Sequence, residues 1–286
     1  SAVDHHAGTM KLRSIDMNTG RKDSFLLSMS DSMTIHDLPF SFAVSKNYLI
    51  MNDDSYGKIY LYKRIGHSFH FAHEVSIGNK LRFRSVMTEK NDRFLFYEIY
   101  ASSDKDVPPV TLAIYDAASN KTISVIHPDL NCMAFSFFDI YPVAMNRNMI
   151  ALADLCEYKV RLYDHQLREI GSVTLEDSSW KKIRDSKIPF ETDPLKVHPK
   201  ITIMKMEELK KTIDHLQRID FLNDSTLLVF SAPKERNSIS CRLDIWNIRK
   251  KDKPECTMEN FPIDFSADKN INIDHLPFLI NKFRQP

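Results

Sequence analysis

Glycine is scarce in this chain, 6 residues of 286. That excludes loops built from successive glycine amides, the usual cradle for phosphate. It also shifts turn-making to Asn and Asp, whose side chains bond nearby backbone and tolerate left-handed φ. Cysteine is sparse too. The 4 thiols, Cys132, Cys156, Cys241 and Cys256, form no C-x-x-C pair, which excludes the common zinc-ribbon and thioredoxin patterns. Buried free thiols are the plain reading for all four. Cys132 and Cys156 nevertheless fall in loops of one repeat on one predicted face, and could bridge in an oxidising compartment. Neither charge is in excess: 39 Lys and Arg stand against 38 Asp and Glu, net +1, so charge offers no argument for nucleic acid or an anionic membrane. No apolar run is long enough to cross a bilayer as a helix. Residues 1–8, SAVDHHAG, lack the apolar stretch of a secretory signal, and residues 1–10, with His5 and His6, read as a tether or a cloning remnant. Catalytic signatures are missing as well: there is no G-x-S-x-G, no H-E-x-x-H, and no Ser-x-x-Lys with its partner motifs. The basic clusters Lys181-Lys182 and Arg249-Lys250-Lys251 are short enough to be solvated turns.

What is present is a repeat. Residues 159–175, KVRLYDHQLREIGSVTL, read as a strand, a polar turn at Asp164-His165-Gln166 and a second strand. Residues 111–126, TLAIYDAASNKTISVI, superpose on them, with Tyr115-Asp116 on Tyr163-Asp164 and Ser124-Val125 on Ser172-Val173. Residues 13–27 carry the frame again, with Ile15-Asp16 at its centre, and looser copies sit at 59–63 and 243–247. A second feature recurs between these hairpins. SKNYLIM (45–51), EKNDRFLFY (89–97), MNRNMIAL (145–152) and LNDSTLLVF (222–230) each feed an Asn-rich turn into an apolar strand. Each follows another strand candidate, at 39–44, 81–87, 132–140 and 216–222.

Four antiparallel strands per unit of roughly fifty residues is the pattern of a propeller blade. One such sheet cannot bury both faces alone, whereas stacked blades bury them between neighbours. With 43% hydrophobic residues the chain can fill that core. The predicted fold is therefore all-β, a single β-propeller domain over residues 11–286. Its markers Asp16, Lys63, Asp116, Asp164 and Asn247 show five blades, with a sixth only if one hides in the insertion at 176–214. That insertion is irregular, with three prolines, and runs into Met206, Leu209, Ile213 and Leu216 at helical spacing. The echo of IHDLPF (35–40) in IDHLPF (273–278) predicts that the N- and C-terminal strands complete one shared blade.

The Tyr-Asp-x-x-Leu hairpin, as in RLYDHQLREI, together with the Asn-rich turns before apolar strands, resembles the TolB-like six-bladed β-propeller proteins of bacterial cell envelopes. The resemblance spans roughly residues 11–285. It implies an exported protein, periplasmic or at the surface, often lipid-anchored as a precursor, with no catalytic residues and no cofactor. The visible count of five blades departs from the family's six.

Sorting loops by propeller topology collects one constellation. His36, Asp37, His127, Asp129, His198, Asp274 and His275 sit in connections between blades. Asp53, Asp54, Tyr56, Asp104, Asp106 and Asp154 sit in loops between second and third strands, on the same face. Converging imidazoles and carboxylates could hold a divalent metal there, although no ligand pair has a spacing that enforces geometry. Solvated caps and turns account for the same residues. Tyr62, Tyr115, Tyr163 and Trp246 recur at one blade position, where inter-blade packing is a simpler reading than a sugar-stacking ladder. The function expected is a non-catalytic propeller, monomeric, that binds a protein, small molecule or glycan through loops at the axial mouth. The alternative is a metal-dependent propeller hydrolase of lactonase type. A cytoplasmic WD-repeat adaptor is disfavoured, since the Gly-His and Trp-Asp signatures are missing.

Overall fold

The computed structural model describes residues 4–6, 9–15, 22–28, 40–53, 58–77, 85–88, 91–99, 110–128, 143–154, 157–175, 214–232, 241–250 and 252–261. Among them every regular element is a β-strand. The chain forms two compact units, residues 1–98 with 111–127, and residues 99–110 with 128–286.

The first unit holds β1 (Asp4–His6), β2 (Thr9–Ile15), β3 (Lys22–Ser28), β4 (Phe40–Val44), β5 (Tyr48–Asp53), β6 (Lys58–Ile65) and β7 (Ser68–Val75) in one sheet, ordered β1-β2-β3-β7-β6-β5-β4. Its second sheet is the meander β8 (Ser85–Thr88), β9 (Arg93–Ile99), β10 (Val110–Asp116) and β11 (Lys121–Ile126). The second unit holds two meanders. One is β12 (Val143–Met145), β13 (Ile150–Asp154), β14 (Lys159–Tyr163) and β15 (Glu169–Thr174). The other is β16 (His215–Phe221), β17 (Thr226–Ala232), β18 (Cys241–Asn247) and β19 (Cys256–Phe261). Four antiparallel four-strand meanders, each made from consecutive strands, are propeller blades, and the fold class is an all-β propeller type. Within each unit the first strands approach one another, β4 and β5 against β8, and β12 and β13 against β16.

Burial explains the composition of each strand. Middle strands are covered on both faces, so β10 is buried from Val110 to Tyr115 and β13 along its whole length. They read as solid apolar runs for that reason, while the outer strands β11 and β15 are largely exposed. In the first unit, Ala43, Ile50, Ile59, Leu61 and Val75 meet Val86, Phe94, Phe96, Ala113 and Tyr115 in one core. In the second, Ala151, Val160 and Leu162 share a core with Ile219, Leu227, Val229 and Trp246. Each fully buried Leu, Val or Phe contributes about 1.5–3 kcal/mol relative to its exposed state.

The recurrent hairpin resolves into three parts. Register shifts fall immediately before Tyr62, Tyr115 and Tyr163, because the outer strand carries one extra residue, Ala72, Ile123 or Ile170, opposite that step. The bulge turns the extra residue outward, which accounts for the exposed Ile123 and Ile170. The tyrosines and Trp246 are buried, which does not suit a stacking ladder for sugar, and Tyr115 and Trp246 pack into cores shared by two sheets. The following Asp builds the turn. Asp116 Oδ1 accepts from the amides of Ala118 and Ser119, and Asp164 Oδ1 from those of Gln166 and Arg168. Left-handed φ falls on Asn91, Asp92, Asn120 and Leu167 as well as Gly66, as glycine scarcity requires.

Among the described residues β2 and β3 extend the first sheet, with β3 parallel to β7 through Leu26↔Ser68, Leu27↔Phe69 and Ser28↔His70. Leu27 is fully buried in a cluster with Leu49, Met51, Tyr60, Tyr62 and Phe69. Part of the predicted tether belongs to the same sheet, as Asp4–His6 pairs with Thr9–Lys11. The described blades number four, against five markers: Asp16, the first marker, follows the extra hairpin strand β2. Residues 273–278, and nearly all of the insertion 176–214 with its predicted helix, lie outside the described residues. Leu216, placed on that helix by spacing, begins the strand run of β16, as the overlapping strand candidate at 216–222 requires.

Candidate functional site

Strand order sorts the connections of each unit into two ends. In an antiparallel meander the first-to-second and third-to-fourth turns share one end, while the second-to-third loops and the crossings between sheets share the other. At the first end the connections are short: 45–47 and 66–67, 89–92 and 117–120, 146–149 and 164–168, 222–225 and 248–255. The second-to-third and between-sheet connections are 54–57 and 76–84 in the first unit, 155–158, 175–214 and 233–240 in the second, and 100–109 between β9 and β10. Between the last strand of the first unit and the first strand of the second runs 127–142. Length and sequence variety are concentrated at the second end, where loops carried on a rigid scaffold bind ligands.

Of the sequence-derived residues, Asp53, Asp154 and His127 are described. Asp53 closes β5 opposite Lys58, and Asp154 closes β13 opposite Lys159, the same position in two blades. Asp154 is a buried strand residue and not a loop carboxylate. His127 follows β11, is exposed, and shares a hydrogen bond of 3.1 Å between its Nδ1 and Oγ1 of the buried Thr111. Asp53 and His127 belong to one unit on different sheets, and Asp154 belongs to the other. His36, Asp37, Asp54, Tyr56, Asp104, Asp106, Asp129, His198, Asp274 and His275 lie outside the described residues, as do Cys132 and Cys156. Cys241 is a buried free thiol and Cys256 a half-buried one. Among the described residues no three His, Cys, Asp or Glu side chains are grouped to hold a metal.

A different constellation emerges in the second unit. Arg242, Asp244 and Trp246 alternate along β18, so their side chains share one face of the strand. Asp244 is fully buried, and its carboxylate accepts from Tyr158 Oη at 2.6 Å, from Arg242 Nε at 3.0 Å and from Thr257 Oγ1 at 2.5 Å. Trp246 Nε1 donates to the Tyr158 hydroxyl at 3.1 Å, and the two rings stand 6.2 Å apart. Burial pushes the Tyr158 hydroxyl well above its ordinary pKa, and the Asp244 charge adds to the shift. Burial opposes the Arg242 charge, but Asp244 outweighs it and the guanidinium is held above its usual value.

The Tyr158 phenol, held in its neutral form by burial, is a poor proton carrier near neutral pH. Its role here is mechanical: Tyr158 precedes β14, and its hydroxyl fastens that connection onto the neighbouring sheet. The sequence signal for this group is Arg-x-Asp-x-Trp on one face of a strand, masked by the place Trp246 also holds in the repeat. A second i, i+2 pair, Arg218 Nε to Asp220 Oδ2, lies on β16. Burial raises the Asp220 pKa there against the pull of Arg218.

No family model matches the chain, and no curated protein matches it. Among solved structures it is similar to the WD40 domain of coronin from Toxoplasma gondii, at 11% identity and TM-score 0.48, covering 92% of this chain and 56% of that one. It is also similar to the Mitotic Checkpoint Complex (10%, 0.42, covering 77% of this chain and 50% of that one) and to hydrazine synthase of Kuenenia stuttgartiensis (12%, 0.45, 81% and 52%). This chain thus spans about half the length of each. With TM-scores below 0.5 these likenesses carry no weight on function, and the fold rests on the chain's own strand order and register.

Proposed function

We propose that this protein is a non-catalytic binding propeller that engages a protein partner through the long connections at one end of its blades. The observation that carries this reading is the division of connections within each unit: tight Asx-type turns join first to second and third to fourth strands, while the variable segments 76–84 in the first unit and 175–214 in the second join one sheet to the next. The middle strands of the blades are apolar and committed to packing, so recognition falls to the loops. The finer reading is a TolB-like propeller exported to the bacterial cell envelope, with a small molecule or glycan as the other ligand class. It draws support from the Tyr-Asp hairpins and Asn-led turns that motivated it.

Lysine cross-linking in intact producing cells tests both levels. Partner cross-links are expected at Lys80, Lys105, Lys181 and Lys234, which lie in the long connections, and not at Lys46, Lys90, Lys250 and Lys253, which lie in the short turns. Cross-links confined to the second set would overturn the assignment of the binding end. Recovery of the chain in the cytosolic fraction would overturn the envelope reading alone.

A further inference from the structure

Every described strand pair in this protein is antiparallel except one. That exception joins β3 to the outer edge of β7, through the three residue pairs from Leu26↔Ser68 to Ser28↔His70. The blade it joins is already complete, since β4 to β7 form the same four-strand meander as the other three sheets. The outer strands β11, β15 and β19 carry no fifth strand among the described residues. The N-terminal strands are therefore an addition to the blade. Among the described residues their attachment to the rest of the sheet runs through β7 alone. Its apolar anchor is Leu27, fully buried in the cluster of Leu49, Met51, Tyr60, Tyr62 and Phe69.

We propose that the β7 edge with its Leu27 notch is a strand-docking site through which two copies of this chain exchange their N-terminal strands β1 to β3. The partner's identity follows from complementarity. Residues 22–28 fit the notch in parallel register, and a second copy carries that same segment. Exchange replaces each intramolecular contact with an identical intermolecular one, so its cost is confined to association, as in domain swapping generally. The joint that must open is short, while the blade it leaves keeps its own four-stranded ladder. This inference stands apart from the loop-binding reading above and departs from the monomer expected from the sequence.

The test uses two full-length chains with different tags, one carrying Leu26→Cys and the other Ser68→Cys. A disulfide between them requires β3 of one copy beside β7 of the other. After co-incubation and mild oxidation, a reducible heterodimer is expected whose yield rises with protein concentration. The pair Leu26→Cys with Lys58→Cys, at the far end of β6, is expected to give none. A mixture that stays monomeric while a single chain carrying both Leu26→Cys and Ser68→Cys cross-links within itself would overturn exchange. Equal yields from the matched and mismatched pairs would overturn it too, by showing random collision.

Discussion

The two units join similar pairs of blades in different ways. In the first, the seam is apolar through its depth, and the polar ties lie at its rim. Asp92, in the turn before β9, accepts from Ser45 Oγ at 2.6 Å and from Asn47 Nδ2 at 2.7 Å in the turn of the neighbouring sheet. Further out, Asn120 Oδ1 takes the Tyr115 hydroxyl at 2.5 Å and lies 2.8 Å from His73 Nε2. In the second unit the decisive tie is buried, where Tyr158 reaches across to Asp244 beneath Trp246. Rim ties are exposed to water and to pH, and each is worth little. A buried carboxylate costs much to leave unpaired, so its partners are constrained together. The same blade geometry can thus be aligned by many weak contacts or by one strict one.

The largest test of that contrast is Asp244. Asp244→Ala removes the acceptor of the Tyr158 and Thr257 hydroxyls and leaves Arg242 with the longer contact to Glu259 at 3.7 Å, and is expected to cost about 3 kcal/mol in urea unfolding followed by circular dichroism. Tyr158→Phe keeps the ring and removes the bridge, for about 1–3 kcal/mol. The double variant should lose clearly less than the sum of the two, because the residues act as one network. Strict additivity would break the idea of a lock.

The rim clamp gives a smaller, pH-dependent effect. Burial pushes the Asp92 carboxyl up, but hydrogen bonds from Ser45 and Asn47 and the charge of Lys46 outweigh it, and its pKa lies below the ordinary value. A folded pKa below the unfolded one stabilises above the unfolded value, about 3.9, and that stability is lost as the pH falls through the folded value. The group is largely solvated, so its contribution is held to about 1 kcal/mol or less. Asp92→Asn should therefore cost up to about 1 kcal/mol at pH 7, cost little at pH values below the folded pKa, and so flatten the acid limb of stability below about pH 4. An unchanged acid limb in urea midpoints would remove Asp92 from the account of that seam.

The smallest effects belong to the bulges. Ile123→Thr and Ile170→Thr replace exposed residues with β-branched polar ones, and each should shift stability by no more than about 0.5 kcal/mol. A loss of 2 kcal/mol or more at either position, read from the urea midpoint, would mean that the residue is covered.

Much of the blade was legible because its signals are local. Tyr115-Asp116 and Tyr163-Asp164 declared a packing residue and a turn residue side by side, and the Asn-led turns declared the strands that follow. The bulge between them was not legible, since an extra residue in the outer strand becomes an offset only once that strand is paired. Pairing of β3 with β7 left no trace either. Residues 22–28 and 68–70 are distant in sequence, and Leu27 becomes an anchor only when the cluster around Tyr62 and Phe69 exists. Of the candidate site, Asp53 and Asp154 end the corresponding strands β5 and β13, and His127 follows β11. Burial of Asp154, and the bonding of Asp244 to Tyr158 across two sheets, depend on contacts that no spacing encodes.

By itself the sequence determined the repeating strand pattern, its turn chemistry and the exclusion of glycine-loop phosphate sites, since each follows from residues within a few positions of one another. Tertiary structure alone decided which carboxylate was buried, which tyrosine secured it and where the N-terminal hairpin docked. Those outcomes depend on sheets meeting face to face and edge to edge, and the free energy of a buried charge or a plugged notch exists only once both sides are in place.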